Sequence, residues 1–363
     1  MPRVWTPVAQ VDYANILNEA WAQHLAPREK NAPTVISTFA GCGGSSLGYS
    51  MAGFRELLAV EWDRHAAETF RRNFPEVPLF HGDIAKLSVE MCLEMTGLAP
   101  GELDVLDGSP PCQGFSTSGK QDVSDSRNQL FRQYVRLLRG LQPKVFVMEN
   151  VAGMVQGKMK LIFVEILREL KASGYKVSAG ILNAMHFNVP QRRRRVIFIG
   201  IREDLAMEPS HPKAESAPIT VAEALRATAF EKDAPTSPQL EAVVPYIKQG
   251  ENAKSVPIAV LKEHHPVMID KMRRGKFANR VWRMSSRKPH PTITKTFQAF
   301  NSESYLHPTE NRYLSSGELK RCGGFPDQFI ITGSYVQIHA RIGNSVPPLF
   351  MRGIARHVRQ YLQ

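Results

Sequence analysis

The sequence has no uninterrupted apolar run longer than four residues, so a membrane-spanning helix of roughly 20 residues is excluded. The first 33 residues lack the compact apolar segment of a secretory leader, and an exported protein is not expected. Cysteine is scarce: Cys42, Cys92, Cys112 and Cys322 are scattered, with no Cys-x-x-Cys pair. That pattern suits neither a disulfide framework nor a zinc knuckle, and a reducing cytoplasm with free thiols and no bound metal is expected. Acidic residues are also short, 34 against 46 Lys and Arg in 363 residues, for a formal charge of +12. An acidic scaffold is excluded and a polyanionic partner is favoured. No internal repeat or low-complexity tract is present. What remains is an ordinary globular composition, 43% apolar and 22% charged, long enough for one large or two modest domains.

The chain divides by pattern. In residues 1–33, Tyr13, Ile16, Leu17, Ala20, Trp21 and Leu25 recur at helical spacing before Pro27, which predicts one docking helix. Between 34 and 202, strand-like runs (Val35–Phe39, Leu57–Glu61, Asp104–Leu106, Val145–Met148, Val177–Leu182, Val196–Ile201) alternate with amphipathic segments such as Phe131–Leu141 and Leu161–Leu170. This predicts an α/β fold with a doubly wound, mainly parallel sheet. From 203 to 310 the prolines at 209, 212, 218, 235, 238, 245 and 257 break the alternation, and a smaller, less regular lobe is expected. Residues 251–300 hold eleven Lys or Arg against Glu251, Glu263 and Asp270. A charge run of this kind is often no more than a solvated face. Residues 311–363 read as a helix, a Gly-Gly-Phe-Pro-Asp turn and a last helix over Pro348–Leu362.

Two loops carry chemical signals. The first strand runs into Phe39-Ala40-Gly41-Cys42-Gly43-Gly44-Ser45-Ser46-Leu47-Gly48, a turn whose glycines let the backbone approach a ligand. Alone it is a common strand-to-helix turn. Glu61 ends the next strand, where it can accept ribose hydroxyls; Trp62 offers a flat face to adenine, and Asp83 can accept from an exocyclic amine. The glycines depart from Gly-x-Gly-x-x-Gly, which speaks against a pyrophosphate and for a nucleoside such as S-adenosylmethionine.

The fourth strand runs into Gly108-Ser109-Pro110-Pro111-Cys112-Gln113-Gly114-Phe115-Ser116, whose prolines stiffen the approach to Cys112. A lone cysteine is usually a small buried hydrophobe. Here the next strand delivers Glu149-Asn150 to the same sheet edge, so that a thiol nucleophile and a carboxyl converge. In the extended run Gln191-Arg192-Arg193-Arg194-Arg195, Arg193 and Arg195 share one face and Arg192 and Arg194 the other. One pair can reach the site.

With Gly-Phe-Pro-Asp at 324–327 and Gly-Asn-Ser-Val-Pro at 343–347, these motifs resemble the bacterial DNA cytosine-5 methyltransferases in order and spacing, from Thr34 to the C-terminus. The resemblance implies a Rossmann-like S-adenosylmethionine-dependent methyltransferase, giving S-adenosylhomocysteine and acting as a monomer on double-stranded DNA. It implies a catalytic set of Cys112, Glu149, Arg193, Arg195 and Asn150. Arg195 would hold the cytosine O2, Arg193 would support Glu149 or nearby backbone, and Asn150 would orient the Cys112 loop. For the cofactor it implies Phe39, Gly41, Gly43, Glu61, Trp62, Asp83, Ile84, Pro110 and Leu130, with Asn344, Ser345 and Val346 returning from the C-terminal segment. For DNA it implies Gln113, Ser116 and Ser118, with Ser118 near the vacated base position. The 203–310 lobe becomes the target-recognition region, with Lys271, Arg273, Arg274, Lys276, Arg280, Arg283, Arg287, Lys288 and Thr292 as candidate contacts. Pro291-Thr292-Ile293-Thr294 resembles the Thr-Leu segment that closes this region in the family, with Ile293 in place of Leu.

Three rivals share part of this pattern. A tRNA cytosine-5 methyltransferase would use the same scaffold, but the long basic lobe favours DNA. A non-catalytic DNA-binding protein would not need Cys112, Glu149, Arg193 and Arg195 together. A nicotinamide oxidoreductase leaves Cys112 opposite Glu149 unexplained.

Overall fold

The computed structural model describes residues 11–111, 126–227, 231, 233–266, 269, 281–297 and 304–362. Cys112, Gln113, Ser116, Ser118, Lys271, Arg273, Arg274, Lys276 and Arg280 lie outside the described residues.

The elements follow in the order α1 (Tyr13–Leu25), β1 (Thr34–Thr38), α2 (Gly44–Met51), β2 (Arg55–Glu61), α3 (Arg64–Asn73), β3 (Leu79–His81), α4 (Val89–Thr96) and β4 (Val105–Gly108). Next come α5 (Ser126–Leu141), β5 (Val145–Val151), α6 (Lys160–Lys171), β6 (Tyr175–Asn183) and β7 (Arg194–Arg202). The later part holds α7 (Val221–Ala224), α8 (Pro238–Val243), α9 (Ile258–His264), β8 (Val281–Arg283) and β9 (Ser304–Leu306). It closes with α10 (Ser316–Cys322), α11 (Tyr335–Asn344) and α12 (Pro348–Arg359). Among the described residues no helix is long and apolar enough to cross a membrane.

Strands β1 to β7 form one sheet in the order β3-β2-β1-β4-β5-β7-β6. It is doubly wound and mainly parallel, and successive side chains in each strand leave by opposite faces. Val35, Val105, Val145, Val147, Ile197 and Ile199 join the core under α1, α2 and α12. Their neighbours Ile36, Leu106, Phe146, Met148, Val196 and Phe198 join the core under α5 and α6. Both faces are therefore covered, and chemistry is left to the strand ends. The strand order reverses between β1 and β4, and crevices that bind ligands open beyond the carboxyl ends of such a pair.

One strand breaks the parallel rule. β7 runs antiparallel to both β5 and β6. Its beginning therefore lies at the carboxyl end of β5, with Arg195 opposite Val151 and Val196 opposite Asn150. In a parallel strand the arginines at its start would sit at the far edge of the sheet.

Helix α12 packs against α2, and Gly48 makes the crossing possible. A methyl group at Gly48 would meet Met351 Cβ at 2.6 Å, Pro348 O at 2.7 Å and Arg352 N at 2.8 Å. Gly48→Ala is accordingly expected to lower stability by about 1–3 kcal/mol through overpacking, outweighing the ~1 kcal/mol that alanine gains over glycine within a helix. Denaturant midpoints would show it; a raised midpoint would contradict the close crossing.

A further core gathers Leu240, Val243, Leu261, Val281 and Leu306 from α8, α9, β8 and β9, with Val244, Ile247 and Tyr313 from the segments after α8 and β9. Arg283 is part of its framework. It is 5% exposed and donates to the carbonyls of Val244 (2.9 Å), His307 (3.0 Å), Ile247 and Glu310, and to Asn311 Oδ1. Desolvation of a guanidinium is offset only by such a full set of acceptors. The expectation that Arg283 contacts DNA is corrected: its donors are taken up inside the lobe.

Candidate functional site

The first half of the site grows from β1 and β2. Phe39, Gly41 and Gly43 all have positive φ, at 55°, 59° and 95°. A methyl at Gly41 would meet nothing within 4 Å, so the turn is open on that side. Glu61, at the end of β2, accepts from the backbone N–H of Gly41 through Oε2 at 2.7 Å. Its Oε1 accepts from Trp62 at 2.9 Å and Asp63 at 2.7 Å. Burial raises the Glu61 carboxyl above its ordinary value, and these three N–H groups oppose that shift. A carboxylate has about four acceptor positions; three are occupied, and Oε2 keeps one for a ligand hydroxyl.

Trp62 beside it is 78% exposed, a large apolar surface that a stacked ring would cover. Asp83 is exposed and accepts from Ala85 N at 2.9 Å, leaving its second oxygen available. Ile84 is buried and Leu130 half-buried. An acidic acceptor, an open flat indole and a second exposed carboxyl around an open glycine turn fit a nucleoside, with no phosphate-binding group required.

The C-terminal segment packs against this turn. A methyl on Gly44 would collide with Ser345 Oγ and with the carbonyl of Val346, so α2 and the stretch after α11 lie in direct contact. Asn344 is exposed there, while Ser345 and Val346 are buried. Arg341 of α11 pairs with Asp63, the residue that caps α3.

The second half lies at the carboxyl ends of β4 and β5. Pro110 is buried, and Asn150 Nδ2 donates to its carbonyl at 3.0 Å. That bond fixes the backbone two residues before Cys112. Glu149 is 8% exposed, and Arg195 Nε meets its Oε1 at 2.6 Å, both side chains being largely enclosed. Charge-assisted contacts of this kind in a shielded site are stronger than their surface counterparts.

The two faces of the arginine run separate as alternation requires, with Arg192 and Arg194 exposed and Arg193 and Arg195 turned inward. Arg193 does not bond Glu149. It donates to Ile293 O at 3.1 Å and Gly343 O at 3.0 Å, tying the Thr-Ile-Thr segment to the C-terminal motif. Burial pushes its guanidinium down to about 9, with the charge of Arg195 adding to the effect. It remains a cation at neutral pH. Thr292 Oγ1 donates to Arg192 O at 2.8 Å, which fastens the same segment to the start of β7. Arg287 is exposed.

Two residues at the site were not expected from sequence. Arg136 of α5 donates to the carbonyls of Ile84 (3.0 Å) and Leu87 (2.7 Å), bracing the turn after Asp83. Asp107, one residue before the end of β4, is buried against Tyr49, whose hydroxyl donates to it at 3.3 Å. Burial pushes this carboxyl up to about 8. An acid inside an otherwise apolar strand run was the available signal.

Comparison with known proteins agrees with this geometry. The model of a family described as C-5 cytosine-specific DNA methylase matches residues 33–360. The chain is 33% identical over 338 residues to the Type II methyltransferase M1.HphI of Haemophilus parahaemolyticus, covering 90% of this chain and 86% of the relative. It is 32% identical to M.DdeI of Desulfomicrobium norvegicum, covering 91% and 89%. Among solved structures, a candidate DNA modification methyltransferase encoded within an E. coli prophage superposes with a TM-score of 0.69 at 27% identity, covering 91% of this chain and 99% of that one.

Proposed function

The chain belongs to the C-5 cytosine-specific DNA methylase family, and we propose that it modifies a specific duplex site as the methyltransferase of a bacterial restriction-modification system. Its similarity to Type II methyltransferases supports that setting. The observation that carries the mechanism is the enclosed Glu149–Arg195 pair at the sheet edge where Asn150 anchors the backbone leading to Cys112.

Carbon 5 of cytosine is too weak a nucleophile to attack a methyl group unaided. The Cys112 thiolate adds to C6, and Glu149, which takes up a proton from solvent as Arg195 leaves it, donates that proton to N3 as charge builds on the ring. Arg195, released from Glu149, takes the O2 oxygen. The ring is then enamine-like at C5. Bound S-adenosylmethionine supplies an electrophilic methyl group on a sulfonium. Once C5 carries the methyl, a base removes the C5 proton, the electrons return to the C5–C6 bond, and Cys112 departs as thiolate. Glu61, Trp62 and Asp83 hold the nucleoside, while Ser345 and Val346 close the turn from the other side.

The reacting base must leave the duplex, at a cost of a few kcal/mol. Gln113, Ser116 and Ser118, which follow Cys112 in sequence, are proposed DNA contacts, with Ser118 filling the gap. The 203–310 segment then reads the target. Lys271, Arg273, Arg274, Lys276, Arg280, Arg287 and Lys288 are its proposed DNA contacts, without Arg283. The enzyme works as a monomer in the cytoplasm.

Incubation with methyl-labelled S-adenosylmethionine and either duplex DNA or tRNA tests the substrate. Label is expected in DNA. Label in tRNA alone would overturn the substrate, and label in neither would overturn the enzyme.

A further inference from the structure

Helix α1 lies before the region matched by the family model, which begins at residue 33. It is nonetheless built into the core. Asp12 caps it by accepting from Asn15 N at 3.1 Å, and Tyr13, Leu17 and Ala20 are buried. They share one apolar cluster with Ala40, Cys42, Leu47, Phe70 and Phe74, the residues in and around the glycine turn.

Its last turn carries the more specific contacts. The ring of His24 lies 4.8 Å from Trp21 on one side and meets Phe74 edge-on at 5.5 Å on the other. Phe74 in turn presses on Gly43: a methyl at Gly43 would collide with the Phe74 ring and reach Phe70 at 3.3 Å. His24 Nδ1 also lies 2.7 Å from Ser50 Oγ, in the last turn of α2. Arg28 donates to that same oxygen at 2.5 Å, so that Ser50 Oγ ties the end of α1 to the end of α2. Burial, with the charge of Arg28 adding, pushes the imidazole down to about 4. It is neutral at working pH. One side chain thus touches α2 near both of its ends, at Gly43 through Phe74 and at Ser50 directly.

We propose that α1 is a positioning strut for the cofactor turn, acting through His24, which braces Phe74 against Gly43 and holds Ser50. The inference rests on the reading that this turn holds S-adenosylmethionine. His24 touches neither donor nor DNA; it sets the backbone that does. Loosening it leaves the Cys112–Glu149 edge intact, so the loss falls on nucleoside affinity and not on turnover at saturation.

The test uses the full chain with His24→Ala, and with Asn18→Ala as a control, since the Asn18 side chain is exposed and its partner among the described residues is Gln328. Binding of S-adenosylhomocysteine by calorimetry and methyl transfer to duplex DNA are both read. His24→Ala is expected to raise the dissociation constant and the cofactor KM about tenfold, with kcat within about twofold. His24→Asn, which retains a short acceptor for Ser50, recovers part of the affinity; Asn18→Ala changes neither constant. Unchanged affinity in His24→Ala, or a lower kcat at unchanged KM, would overturn the strut. If the unaltered chain bound no nucleoside, the cofactor reading itself would fall, and the strut with it.

Discussion

Replacing Cys112 by serine is expected to reduce methyl transfer at least about a thousandfold while S-adenosylhomocysteine still binds with its original affinity. A thiol ionises near pH 8.5 and is strongly nucleophilic as the thiolate, whereas a serine hydroxyl stays protonated at neutral pH. Serine also makes a poorer leaving group when the adduct must break. The proposed nucleoside site consists of Gly41, Glu61, Trp62 and the segment around Ser345, none of which depends on the sulfur. The contrast between lost turnover and intact binding is therefore the diagnostic. A substantial residual rate in Cys112→Ser would assign the attack on C6 to another group.

Glu149→Gln is expected to lower kcat by about a hundredfold to a thousandfold, with cofactor affinity unchanged. The amide keeps an oxygen for Arg195 Nε, which the carboxylate now meets at 2.6 Å, so the enclosed arginine is not stranded. What the amide loses is an ionisable group at N3. Arg195→Met should do more harm to folding, because it leaves the largely enclosed Glu149 without its cation. Denaturant midpoints separate the two, and an unimpaired single-turnover rate at saturating cofactor in Glu149→Gln would remove the carboxyl from the proton transfer.

The reading of the sheet from sequence rested on apolar runs of strand length, and those at 35–39, 57–61, 145–148 and 196–201 coincide with β1, β2, β5 and β7. Alternation within the arginine run also held, since period two is imposed by the strand itself: Arg193 and Arg195 turn inward, Arg192 and Arg194 outward. The direction of β7 was not legible. A strand reads the same either way, and only its pairing with β5 brings Arg195 to Glu149. Charge misled at Arg283. An arginine in a basic stretch looks like a phosphate contact, yet this one gathers backbone carbonyls from two distant segments, at 244–247 and 307–310, a pairing that leaves no local pattern. Arg193 shows the same limit, because its partners Ile293 and Gly343 are 100 and 150 residues away.

The most direct measurement replaces cytosine by 5-fluorocytosine in duplex DNA and adds S-adenosylmethionine. Fluorine leaves no proton at C5 to be removed, so the ring cannot expel the sulfur and the intermediate persists. A denaturation-resistant protein–DNA complex is predicted, with peptide mapping placing the bond at Cys112 and none forming in Cys112→Ser. Methylation of ordinary DNA without any such complex, or a bond mapped to another residue, would contradict the account.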